Sequence, residues 1–137
     1  MTRFEFWTDG SCVRGTGGWA ALVYKDGAPQ ITLKGRVPNT TPGRMELLAV
    51  LKALEEGAGH PTTIYTDSDY VMAAGTGEAS SGVAWKLAAH LDLVEQIRAL
   101  VTDGVRFKQV KGHADDERNR RADLIAGLMS GKYGKSA

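Results

Sequence analysis

The chain has 137 residues, a formal net charge of +1 and one cysteine, Cys12. That length suits one domain around one core, the near-neutral charge excludes a broadly basic polyanion binder, and the lone cysteine excludes an internal disulfide. Glu5 and Asp9 fall where a signal peptide needs an apolar core, and no stretch approaches a membrane span, so a cytoplasmic protein with no membrane partner is expected.

Residues 4 to 9 read as an aromatic-rich strand, and the glycines between Gly10 and Gly18 read as a turn. Trp19 to Tyr24 reads as a second strand. Asp26-Gly27 is a hairpin signal, and Gln30 to Val37 follows as a third strand with Ile31, Leu33 and Gly35 in alternation. Short turns between the three imply an antiparallel meander. Asn39 to Gly43 carries helix-start chemistry. Arg44 to Glu56 follows as a helix with Leu47, Leu48, Leu51 and Leu54 on its buried stripe. Thr62 to Thr66 is a fourth strand, and Ser68 is placed to cap a short helix from Asp69 to Ala74. Val83 to Thr102 reads as one long helix, Val105 to Val110 as a fifth strand, and 115 to 129 as a last helix. The order predicts an α/β fold: a five-stranded mixed sheet, three antiparallel strands plus two more, flanked by helices.

Four carboxylates occupy junctions of this pattern. Asp9 and Asp67 end strands, Glu46 opens an apolar helix, and Asp123 sits between Ala122 and Leu124 on the last helix. Taken singly, each has an ordinary explanation as a turn residue, a helix-terminus charge or a cap. If they converge, their like charges need neutralising, which hard divalent cations with oxygen ligands do well. No Cys/His cluster suggests zinc. Metal-dependent phosphoryl transfer is therefore the leading chemistry.

The segments Thr8-Asp9-Gly10-Ser11-Cys12, Arg44-Met45-Glu46-Leu47, Thr66-Asp67-Ser68 and Lys111-Gly112-His113, followed by Asn119 and Asp123, resemble the type 1 ribonuclease H family in order and spacing. The resemblance implies a ribonuclease H-like fold over residues 1–130, with residues 131–137 as a tail expected to fray. It implies hydrolysis of the RNA strand of RNA–DNA hybrids to 3′-hydroxyl and 5′-phosphate products by a two-metal-ion mechanism. Mg²⁺ is the implied metal, two ions per site with substrate, and Mn²⁺ is a possible substitute. By the same resemblance Asp9, Glu46, Asp67 and Asp123 are the metal-binding catalytic carboxylates, and His113 assists proton transfer and product release. Gly10, Ser11, Cys12, Thr41, Arg44, Met45, Ser68 and Asn119 match substrate-contacting positions. Asn119 would touch the hybrid backbone, and Thr41 a DNA-strand phosphate.

The chain departs from the family at its periphery. Many bacterial members carry a basic, Trp-rich handle where this chain has Gly75 to Gly82 with no basic residue, which predicts weak, salt-sensitive binding. Asp69 stands where relatives often have an amide. Arg118, Arg120 and Arg121 offer a basic face on the last helix that suits a modest hybrid-binding role. His60, His90, Trp7, Trp19 and Trp85 read as structural or solvent-facing. A junction resolvase or integrase-like nuclease and a non-catalytic hybrid-binding scaffold are the rival readings. The spacing of His113 and Asp123 argues against the first, and the intact carboxylates against the second. A monomer is expected because no heptad seam appears.

Overall fold

The computed structural model describes residues 1–78, 87–111 and 116–133. His113, Trp85, the start of the predicted long helix at Val83 and the tail from 134 onward lie outside the described residues.

Strand β1 (Phe4–Val13) pairs antiparallel with β2 (Thr16–Lys25), and both are longer than their sequence signals suggest. The segment between Gly10 and Gly18, expected to be a turn, is mostly strand. Only Arg14 and Gly15 turn, at φ 50° and 82°. Two successive left-handed residues match the right-handed twist of the flanking strands, so a two-residue hairpin suffices. Asp26-Gly27 repeats the device at φ 52° and 82°. It leads into the short strand β3 (Ala28–Pro29), and β4 (Leu33–Val37) then pairs with the other end of β2.

Of the third strand expected over Gln30 to Val37 only Leu33–Val37 forms, while β3 precedes that range at Ala28–Pro29, and the sheet has six strands rather than five. Gln30 N–H still donates to Val23 O at 2.8 Å, but Ile31 turns outward and is 88% exposed. With no apolar contact to hold it, that stretch leaves the ladder.

Strand β5 (Thr62–Thr66) runs parallel to β1, and β6 (Val105–Gln109) parallel to β5, giving the order β3-β2-β1-β5-β6 with β4 also on β2. Helices α1 (Pro42–Glu56), α2 (Asp69–Thr76) and α3 (Leu91–Leu100) bury Leu47, Val50, Val71, Leu93 and Ile97 against Phe4, Phe6 and Ile64 of the sheet. Helix α4 (Glu117–Ser130) covers the opposite face, where Ala122 meets Trp7, Leu22 and Tyr24. The long helix predicted from Val83 is interrupted: a turn at residues 89–90 puts His90 at the N-cap of α3. Leu87 and Val94 flank that turn yet share one core, so their spacing reads as continuous.

Pairing of β5 with β1 stops at Tyr65 opposite Trp7. Beyond it, β1 keeps β2 on one side and opens on the other. This is the crevice outside the carboxyl ends of the strands that α/β folds use for ligands.

Candidate active site

Asp9 is the second residue of β1 past the last pair with β5, and it is 7% exposed. Gly10, next to it, passes so near the start of α1 that a Cβ there would collide with the backbone of Met45 and Glu46. Only glycine permits this approach, which brings Glu46 beside the end of β1. Thr41 caps α1 by accepting from Arg44 N–H at 3.3 Å, and Pro42 supplies the pre-set first turn. Asp67 follows directly on β5, and Asp123 lies half-buried on α4 above β1.

The four carboxylates, expected from sequence as one centre, act on one another. The Asp9 carboxyl lies close enough to Asp123 for that acid to accept a hydrogen bond from it when Asp9 is protonated. Burial pushes the Asp9 carboxyl up to about 9, helped by that bond and by the negative charge of Asp67, against an opposing bond from the Gly10 N–H. Burial also raises Glu46. The Asp67 charge adds to the rise, and a 2.7 Å bond from Ser68 Oγ to Glu46 Oε2 opposes it. Tyr70 is raised by burial and by the Glu46 charge. The four are neighbours in charge rather than a closed cage. Among the described residues no group of three or more His, Cys, Asp or Glu side chains is arranged to hold a metal ion.

The donor chemistry fits a hard cation. All four candidate ligands are carboxylates, and Asp9 is buried among acids with no Lys or Arg paired to it among the described residues. A cation would take over the neutralising task of the proton on Asp9.

Asn119, expected on the hybrid backbone, is engaged inside the protein. It is 1% exposed, and its Nδ2 donates to Asp67 Oδ2 at 3.3 Å, so its side chain faces a carboxylate instead of solvent. Ser68 both caps α2, accepting from Val71 N–H at 3.2 Å, and orients Glu46. Met45 is 1% exposed and packs with Trp19 and Ala49, so its side chain belongs to the core. Arg44 makes a two-pronged pair with Asp92 of α3, at 3.0 and 2.5 Å. Ser11 accepts from Ser130 Oγ at 3.0 Å, and the Cys12 thiol donates to Thr40 O at 3.4 Å. Both remain half-buried along the rim of β1.

The basic face expected on the last helix is largely engaged in packing. The Arg118 guanidinium stacks 3.8 Å from the centre of the Tyr24 ring and 4.8 Å from that of Trp7, and Arg121 donates to Tyr24 Oη at 3.4 Å. Asp69 accepts from Gln109 Nε2 at 2.5 Å, tying α2 to the end of β6. Asp116 had no structural role in the sequence reading. Its Oδ1 caps α4 on Asn119 N–H at 2.9 Å, and its Oδ2 accepts from Trp7 Nε1 at 3.3 Å. An Asp three residues before a helical Asn is a visible capping signal, but nothing in the sequence reveals the tryptophan.

The sequence model of the RNase H family matches residues 1–130. A ribonuclease H of Verminephrobacter eiseniae is 37% identical over 142 residues, covering 92% of this chain and 89% of that protein. One from Rhodopseudomonas palustris is 41% identical over 132 residues, covering 87% and 83%. Two solved structures share the fold at a TM-score of 0.74 and 19% identity. One is the N-terminal RNase H domain of a Mycobacterium tuberculosis protein fused to maltose-binding protein, covering 96% of each chain. The other is a foamy viral protease–reverse transcriptase in complex with double-stranded DNA, covering 94% of each chain.

Proposed function

Because this chain belongs to the ribonuclease H family, we propose that it hydrolyses the RNA strand of RNA–DNA hybrids at a divalent-metal centre on Asp9, Glu46, Asp67 and Asp123. The observation that carries this reading is the electrostatic convergence of four carboxylates from four separate elements, with Asp9 held up to about 9 by burial and acidic neighbours. A pure polyanion binder gains nothing from buried negative charge facing its ligand.

Two bound divalent ions, Mg²⁺ by preference, would supply an activated water and stabilisation of the departing oxygen. The residues prepare for that. Asp9, held protonated by burial and acidic neighbours, would give up its proton as a cation binds, beside which Asp123 would be a second oxygen ligand. Ser68 Oγ fixes one oxygen of Glu46, and Asn119 Nδ2 fixes one of Asp67, so neither carboxylate has to be ordered at the moment of reaction. His113 follows Gly112 and precedes Asp123 by ten positions in the sequence, as a proton carrier for the leaving group does in the family. Selection of RNA rests on its 2′-hydroxyl, for which the rim Gly10-Ser11-Cys12 and Glu46 are the candidate readers.

The test uses labelled RNA–DNA hybrid, RNA duplex, DNA duplex and a four-way junction, each with and without Mg²⁺. Cleavage confined to the RNA of the hybrid, with 5′-phosphate products, is expected. Binding of hybrid without cleavage in Mg²⁺ and Mn²⁺ alike would establish a scaffold instead, and junction cleavage a resolvase.

A further inference from the structure

Helix α4 lies across β1, β2 and β4, so the same face of β5 and β6 stays open beyond it. On that face Thr63 stands beside Arg106 and Tyr65 beside Lys108 in the parallel register. Toward the amino ends of these strands, Arg3, Pro61, Thr62, Thr63, Gly104, Arg106 and Lys108 enclose a cleft of about 350 Å³. Its lining holds three cations and no carboxylate. Arg3, Arg106 and Lys108 are exposed, and none forms an ion pair among the described residues. The Arg106 guanidinium donates to Asp103 O at 3.2 Å, and Lys108 reaches over the Tyr65 ring at 5.9 Å. Glu5, the acid on the adjoining strand, accepts from Tyr65 Oη at 2.9 Å.

Lysines on an edge strand guard against aggregation, which accounts for charge on β6. It does not account for Arg3, which comes from before β1 and lines the same cleft. Convergence of cations from two parts of the chain on one polar hollow is what a phosphate backbone requires.

We infer that this cleft is a second nucleic-acid contact, taking the phosphodiester backbone of the hybrid where it runs on past the carboxylate centre. The inference rests on the nuclease reading above and gives this handle-less chain a place to hold substrate. The length of β5 separates cleft from carboxylates by roughly 13 Å, about four base steps. A long duplex therefore reaches both, and a short one only the centre. Backbone contact through cations also makes binding indifferent to base sequence.

The experiment compares the wild type with the triple variant Arg3→Gln/Arg106→Gln/Lys108→Gln on hybrids of about 20 and about 4 base pairs, the shorter spanning only about three base steps. All three side chains are exposed, and thermal melting verifies the fold. The expected result is a KM raised severalfold for the long hybrid only, with kcat unchanged on both. Anisotropy with the uncleaved long hybrid in metal-free buffer should show the slope of log K against log salt flattening by about two to three. That binding arm stands even if neither hybrid is cut, an outcome that sinks the nuclease reading alone. Equal effects on both lengths, or no effect on either, overturn the cleft. So does a variant that keeps its grip on hybrid while losing one on polyglutamate, which would make the cleft a docking site for acidic peptide.

Discussion

Where β1 passes beyond the carboxyl end of β5, three aspartates and a glutamate gather, and among the described residues Arg44 is paired with Asp92 and Arg118 stacks on two aromatic rings. At the amino ends of β5 and β6, three cations line a cleft that no carboxylate enters. A net charge of +1 is therefore the sum of two unlike poles. At the acidic pole Asp9 is held neutral by a proton rather than by a paired cation among the described residues, which suits a centre completed by dissolved cations. The basic pole accumulates charge that suits a substrate. Overall composition conceals both, because the fold separates what the sequence averages.

The comparison breaks most completely at Asp9. Asp9→Asn removes the carboxylate at the centre of the acidic pole, and cleavage of hybrid should fall by roughly 10³-fold or more, the scale of losing a principal electrostatic group. The same variant should melt higher than wild type without metal near neutral pH, because folding the wild type requires Asp9 to take up a proton that the amide does not need. A lower melting point together with retained cleavage would refute the assignment.

Asn119→Ala tests the support of that pole. Losing the donor to Asp67 Oδ2 should lower kcat or metal affinity by about 10- to 100-fold, the range for partners that orient ligands. A substrate-contact role would raise KM instead, so the split between kcat and KM decides.

The pH dependence of stability follows from the sign of the Asp9 shift. Its folded value, about 9, lies above the ordinary 3.8, so the native state holds the proton more tightly than the unfolded state does. That contribution is fully present below the ordinary value and is lost as pH rises through the folded one. Metal-free protein should lose melting temperature from about pH 4 to about pH 9. Asp9→Asn should flatten the decline. Saturating Mg²⁺ should flatten it too, because the cation takes the place of the proton. A flat profile in the metal-free wild type would disprove the buried-acid account.

Asp92→Asn gives the smallest effect. Both partners of the Arg44–Asp92 pair are solvent-accessible, so the melting temperature should barely move. Arg44, freed beside the N-terminus of α1, should tighten hybrid binding modestly at low salt, as fluorescence anisotropy would show.

Much of this arrangement was legible in the residues. The strand and helix order followed from alternation and caps. Ser68 and Thr41 were readable as helix starts, and they cap α2 and α1. What local chemistry could not expose was the second use of a group. The hydroxyl of Ser68 also holds Glu46, and Asn119 turns inward to Asp67, because those partners lie 22 and 52 residues away. The glycines between Gly10 and Gly18 suggested a loop, yet a two-residue turn leaves the rest free to pair. Ile31 counted toward a strand by alternation, but alternation is silent on whether anything waits to cover the apolar side. Arg118 looked like a phosphate ligand because its aromatic partners come from two distant strands.

The four carboxylates stand on β1, α1, the end of β5 and α4, and the contacts that join these elements differ widely in sequence separation. The hairpin of β1 and β2 closes locally, whereas β5 reaches β1 only after the α1 crossover, and α4 is the last element in the chain. No partially folded form can bring all four together. Under the proposed function, cleavage would require all four elements to be in place. During refolding, return of cleavage should trail return of far-ultraviolet ellipticity, and equal rates would mean that the centre forms before its last wall is in place.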